Sequence, residues 1–181
     1  MEFQEINFVI QLMKYSIIDT QRMNLQYLYG IHDLWRAVTK SLEGTPLDHT
    51  VFERTPQSLM LDLQSDRTII CVATPDNSEY VAGSLRVTEY PDKRGTGLMG
   101  GLMVDPLYSP HMRGRMIESL VRLVEEEAKK RGFTELEGYV EAGNRVVRKL
   151  AERSGYQEVS SSPFKLATGR ETTRILIRKE I

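Results

Sequence analysis

Arg113, Gly114 and Arg115 stand at the start of a helical pattern, just after an apolar run that ends Val104-Asp105-Pro106. A helix start exposes unpaired, partly positive N–H groups, and arginine adds charge-assisted hydrogen bonds, so the combination suits a phosphate-bearing ligand. The edge of the preceding strand would offer main-chain donors and acceptors to an amide-bearing arm. A second chemical group lies on the run Glu135–Glu141, where Glu137, Tyr139 and Glu141 alternate onto one strand face. A carboxylate beside a phenol can act as general base and general acid. Glu89, at the end of another strand, is a further candidate base. Plainer readings exist for each: a solvated basic turn for the arginines, solvated carboxylates on an open face for the glutamates. Cys71 sits in the apolar run TIICVA and reads as a small buried hydrophobe rather than a nucleophile. His32, His49 and His111 show no metal-ligating spacing.

These groups need strands and helices to hold them. Residues 1–14 form a short amphipathic element, read as an N-terminal helical extension. Tyr27, Ile31, Leu34, Trp35, Val38 and Leu42 recur at helical spacing, and Gly44-Thr45-Pro46 ends that helix. Thr55-Pro56 opens a second short helix. Residues 68–74 are a β-rich run. Residues 80–90 alternate, with Val81, Gly83, Leu85 and Val87 on one face, and the two runs form an antiparallel hairpin. A third strand covers 98–104 and a loop covers 107–112. Helical spacing returns at Ile117, Leu120, Val121, Val124 and Ala128, with Gly132 as its C-terminal cap. Then come a strand at 135–141, a short helix led by Asn144, and a closing hairpin of 156–160 with 172–179. The order argues for one mixed-sheet α/β (α+β) domain spanning 1–181.

The stretch 68–179 resembles the GNAT superfamily of N-acetyltransferases. That family joins a V-x-P strand end to an R/Q-x-x-G-x-G/A loop and helix, then a strand, then an Asn-led helix ending in Gly-Phe. Here the strand end is Val104-Asp105-Pro106, the loop falls within His111–Glu118, and the second helix runs from Asn144 through Val147, Leu150 and Ala151 to Gly155-Tyr156. The resemblance implies a mostly antiparallel sheet of six to seven strands flanked by helices, with acetyl-CoA as co-substrate. It implies that the main chain of Leu102, Met103 and Val104 pairs with the pantetheine arm. The N–H groups from Arg113 through Gly114, Arg115 and Met116 to Glu118 would hold the diphosphate, and Asn144 would sit near the cofactor. Glu137, Tyr139 and Glu89 are the candidate catalytic groups. Met116 and Glu118 stand where the family has small residues, and Ala151 stands where it most often has a tyrosine that protonates the departing thiolate.

Composition fits a soluble globular chain of 181 residues, 40% hydrophobic and 27% charged. A formal net charge of −1 gives no global basic field, so nucleic acid is not an expected partner. No apolar run approaches the ~20 residues a membrane span needs. Glu2 and Glu5 precede the first apolar stretch, unlike a secretory leader. The expected setting is cytoplasmic, the expected partner a small-molecule or peptide amine acceptor, and the closing hairpin could support a homodimer.

Two other readings compete with acetyl transfer to a primary amine. The tail from Phe133 is similar to autoinducer and N-acyl amino acid synthases, which take their acyl group from acyl carrier protein. The substitutions at Met116, Glu118 and Ala151 also suit a GNAT-like domain that binds without catalysis.

Overall fold

The computed structural model describes residues 13–18, 25–43, 60, 67–76, 78–165 and 171–181. Seven strands make one sheet: β1 (Met13–Ile18), β2 (Thr68–Pro75), β3 (Gly83–Glu89), β4 (Thr96–Val104), β5 (Glu135–Glu141), β6 (Gln157–Lys165) and β7 (Glu171–Glu180). Among the described residues three full helices accompany them: α1 (Leu25–Leu42), α2 (Pro110–Lys130) and α3 (Arg145–Arg153). The spatial order is β1-β2-β3-β4-β5-β7-β6. Every neighbouring pair is antiparallel except β4 with β5. That parallel pair needs a crossover, and α2 supplies it.

Two apolar clusters lie on opposite faces of the sheet. On one, Met116, Leu120, Val124 and Ala128 of α2 pack on Ile69, Cys71, Ala73, Leu85 and Val87. On the other, Leu28, Ile31 and Leu34 of α1 pack on Ile70, Val72 and Val81. The strand β2 is buried at every position, which is why its sequence is a continuous apolar run rather than an alternating one. Gly30 has a packing reason within α1: a Cβ there would lie 2.6 Å from Cγ2 of Val81. Among the described residues no helix is long and apolar enough to cross a membrane.

The sheet agrees with the expected architecture, with local corrections. Residues 13–18 are a strand, the edge partner of β2, whereas 1–14 read as an amphipathic element; the rest of that element, and the helix read from Thr55-Pro56, lie outside the described residues except for helical Met60. Val81 lies on the α1 face, not with Leu85 and Val87, because regular pairing of β3 begins only at Gly83. The segment read as a loop to Met112 is already helical at Pro110. Ser109 caps that helix, its side chain accepting from the Met112 N–H, and Pro110 fills the first turn where no donor is required.

Candidate functional site

The strands β4 and β5 run side by side only from Thr96–Met99 and Glu135–Gly138. Beyond Met99 and Gly138 they separate: among the described residues β4 continues to Val104 paired only with β3, and β5 to Glu141 paired only with β7. The cause is a bulge in β4. Ser84 faces Met103 and Arg86 faces Gly100, so Leu85 alone spans both Gly101 and Leu102. The extra residue bends the strand. Gly101 adopts φ +62°, a conformation suited to glycine, and a Cβ there would point into open space. Its carbonyl accepts from Oγ of Ser84 at 3.3 Å. The result is a wedge whose two walls present main-chain edges: Gly100–Val104, including Leu102, Met103 and Val104, on one side and Tyr139–Glu141 on the other.

The N-terminal end of α2 follows the β4 wall. Asp105, 1% exposed, fixes the connection: its amide donates to the Ala82 carbonyl, its Oδ1 accepts from the Leu107 N–H at 2.8 Å, and its Oδ2 accepts from the Tyr80 hydroxyl. Because α2 begins at Pro110, the Arg113 N–H already donates to the Ser109 carbonyl at 2.9 Å. The amides from Arg113 onward are inside the helix, which corrects the expectation that they stand free for a diphosphate. Pro110 has no N–H and the Met112 N–H goes to Ser109, which leaves the amide of His111 in the first turn. The side chains are another matter. Nε of Arg113 is shielded from solvent and has no hydrogen-bond partner among the described residues. A Cβ on Gly114 would meet nothing within 4 Å, so the helix surface there is open. Glu118, which would repel an anion, is paired with Arg153 of α3 at 2.8 Å. Met116 points away into the core and offers a ligand no side-chain contact.

Asn144 starts α3, and its Oδ1 accepts from the Val147 N–H at 3.2 Å, so that oxygen is engaged as a helix cap. Below α3 a cleft of about 650 Å³ is lined by Arg145, Arg148, Lys149, Ala151 and Tyr156 among others. The Tyr156 hydroxyl donates to Glu125 at 3.0 Å and is also 3.3 Å from Sδ of Met99. Burial, with Glu125 beside it, raises the Tyr156 pKa and keeps the phenol protonated.

Of the three candidate catalytic groups, the structure brings two together. Glu137 and Tyr139 project from β5 to the face opposite α2, since Leu136 and Val140 join the α2 cluster. Glu137 is 1% exposed. It accepts from Nε of Arg178 at 3.0 Å, and Nζ of Lys93 lies 3.6 Å away. Burial pulls its pKa up, but the Arg178 hydrogen bonds and the charges of Lys93 and Arg178 outweigh that and hold it below the usual carboxylate range. Tyr90 also bonds to it, and burial together with Tyr139 and Glu137 raises the Tyr90 pKa. Glu137 faces Leu98, within the closed part of the β4–β5 pair; Tyr139 is the first β5 residue past it. Glu89 is elsewhere. Its carboxylate accepts from the Gly95 N–H at 2.9 Å in the β3–β4 turn, and Glu89 faces Gly97, some four residues, or about 13 Å along β4, from Gly101.

The partners of Glu137 were not readable from local sequence. Arg178 lies 41 residues away on β7, and only strand pairing joins them. The bulge carried a signal: paired glycines, Gly100-Gly101, inside a strand pattern. So did the helix start, in Ser109-Pro110.

Residues 30–156 match the family model described as Acetyltransferase (GNAT) family. No match is found among curated proteins. Solved structures share the fold at low identity. A ribosomal-protein-alanine N-acetyltransferase from Brucella melitensis is 16% identical over 94% of this chain and 99% of its own, with a TM-score of 0.69. An acetyltransferase of the GNAT family from Streptococcus pneumoniae is 18% identical over 94% and 99%, with a TM-score of 0.72. A Salmonella typhimurium protein solved with its cofactor acetyl-CoA is 12% identical over 93% of each chain, with a TM-score of 0.69.

Proposed function

The chain belongs to the acetyltransferase (GNAT) family, and from that premise we propose that it moves an acetyl group from acetyl-CoA directly to a primary amine. The observation that carries this reading is the wedge: a parallel strand pair that closes at Met99 and Gly138 and then opens around the Gly101 bulge. Acetyl-CoA fits such a site in its chemistry. Its pantetheine amides can hydrogen-bond to the free edge of β4 at Leu102–Val104, and its diphosphate suits the basic, open start of α2. Arg113, with an unsatisfied Nε, and Arg115 supply charge there; Gly114 supplies room; the His111 amide adds a donor at the positive end of the helix. An anion at Arg113 would satisfy a donor that is otherwise buried and unpaired, which is unfavourable by about 1–3 kcal/mol.

In the transfer, the neutral amine attacks the thioester carbonyl, the C–S bond breaks, and the CoA thiolate leaves with a proton still to collect. The amine enters on the Tyr139 face of the wedge. Glu137, held anionic and paired to Arg178, is a weak base, and its role in this reading is to fix Tyr90, Lys93 and Arg178 beneath the reacting groups. Proton removal from the amine then falls to solvent, and Tyr139, 46% exposed, is the phenol placed to donate to the thiolate.

The test is release of CoA from acetyl-CoA over a panel of amines and peptide N-termini, with calorimetric binding of acetyl-CoA beside it. Acetyl-CoA-dependent turnover on at least one amine supports the reading. Absence of both binding and turnover defeats it. Turnover with an acyl carrier protein thioester alone would shift it to the synthase reading.

A further inference from the structure

The face of β5, β7 and β6 turned away from α2 carries a cation that the transfer chemistry does not use. The guanidinium of Arg174 lies between two aromatic rings, 4.4 Å from the centroid of Tyr139 and 4.8 Å from that of Phe164. Its Nε is shielded from solvent and lacks a hydrogen-bond partner among the described residues. Other arginines of this region are engaged: Arg178 with Glu135 and Glu137, Arg148 with Glu158, Arg153 with Glu118. Arg174 has no such ion pair among the described residues, although Glu141 is its register partner across β5 and β7. A guanidinium held against two rings has its N–H edge left for binding, and that edge matches a planar oxyanion with two parallel hydrogen bonds.

Its position relates it to the wedge. Tyr139 is the first β5 residue beyond the point where β4 and β5 part, and Arg174 stacks on that ring from the next strand. We propose that Arg174 is the specificity residue for the acceptor and binds a carboxylate on it, so that the acceptor is an amino-carboxylate rather than a simple amine. This rests on the transferase reading above and names its substrate class. The wedge and the guanidinium are separated by one to two strand spacings, on the order of 5–10 Å, so the amine and the carboxylate stand several bonds apart. An α-amine and its own carboxylate are too close to reach both; a short peptide or an ω-amino acid spans the gap.

The matched probes are 6-aminohexanoate and 6-aminohexanamide, which share an amine and differ only in the charge at the far end. In steady-state acetylation the wild type favours the acid by tenfold or more in kcat/KM, with the difference in KM. In Arg174→Gln, shown by circular dichroism to be folded, the ratio of acid to amide falls to within twofold. A second measurement needs neither turnover nor the variant: the Nε–H signal of Arg174, assigned in the 15N-labelled wild type, shifts saturably with 6-aminohexanoate and not with the amide. A protein that shows the selective shift without acetylating either probe keeps the carboxylate site and counts against the transferase reading. A protein that acetylates both probes equally, or whose Nε–H signal stays still or moves alike with both, overturns the carboxylate site and leaves the transferase reading standing.

Discussion

Met99 and Gly138 are the last residues at which β4 and β5 face one another; a residue later the two main chains part. A Cβ on Gly138 would make ordinary contacts there, 3.4 Å from the Met99 Cε and 3.5 Å from Ile177, so the closed end of the pair is packed without being forced. The bulge at Gly101, with its positive φ, makes the opening a built feature of the sheet rather than fraying, and it places the β4 edge and the start of α2 on one path.

Gly114 separates folding from ligand binding. It lies inside α2, where glycine is unfavourable, and a Cβ there would meet nothing within 4 Å. Gly114→Leu should therefore raise stability by about 0.5–1 kcal/mol, read by denaturant unfolding. If the diphosphate rests on that open surface, the same substitution raises the acetyl-CoA Kd tenfold or more by calorimetry. A stabilised protein with unchanged affinity would move the phosphates elsewhere.

Arg113 makes the complementary case. Its orphaned Nε predicts that Arg113→Gln weakens acetyl-CoA about tenfold, equivalent to ~1.4 kcal/mol, while the melting temperature in the absence of ligand does not fall. Dephospho-CoA, which keeps the diphosphate, should lose as much on this substitution as acetyl-CoA does. A loss confined to acetyl-CoA would place Arg113 at a different phosphate.

How far these features could be read from sequence varied with their range. Helical spacing in α1 and α2 and the apolar run of β2 are local and gave their elements directly. The strand β1 is not legible locally, because Met13–Ile18 is mostly half-buried at an edge and shows no clean alternation. The start of α2 falls earlier than the basic pattern around Arg113 suggests, at Ser109-Pro110, the local start signal. The environments of Glu137 and Arg174 depend on which strands meet across the β5–β7 and β6–β7 pairs, and no local pattern encodes that.

Cys71 is wholly buried, and burial, with Glu127 adding to it against Arg131, pushes its thiol up to about 12. At pH 8 only about one molecule in ten thousand would carry the thiolate, the reactive form. The native protein should give no fast reaction with a disulfide reagent, and one thiol per chain should react on adding denaturant. A rapid native burst would show that β2 opens readily between α1 and α2. A silent native thiol also leaves CoA release as the sole thiol signal in a turnover assay.

Glu137 has consequences for pH that run in one direction. Its folded pKa is lowered, so the carboxylate stabilises the fold above the unfolded value of about 4.3, and that contribution is lost as pH falls through the lower folded value. Wild type should lose stability below about pH 4.3 more steeply than Glu137→Gln, which lacks the titrating group. For catalysis the same lowering puts any Glu137 limb below the assay range. Between pH 6 and 9, kcat/KM should rise with the neutral fraction of the amine, in Glu137→Gln as in wild type. A limb near neutrality that vanishes in Glu137→Gln would restore Glu137 as the general base.

Asn144 offers two groups with separable tasks. Its Oδ1 caps α3 by accepting from the Val147 N–H, while its amide nitrogen is the donor free to meet a ligand. Asn144→Ala removes both and should cost about 1 kcal/mol, a drop of roughly 2–4 °C in Tm for a chain of this size. Asn144→Asp keeps the capping oxygen and places a negative charge at a helix start, where the macrodipole favours it, so stability should stay at the wild-type level. The nitrogen is lost in both variants. If α3 only needs its cap, Asn144→Asp binds acetyl-CoA like wild type. If the nitrogen donates to the cofactor, Asn144→Asp loses affinity as Asn144→Ala does while melting at the wild-type temperature, and that divergence between melting and calorimetry would assign Asn144 to the cofactor as well as to the helix.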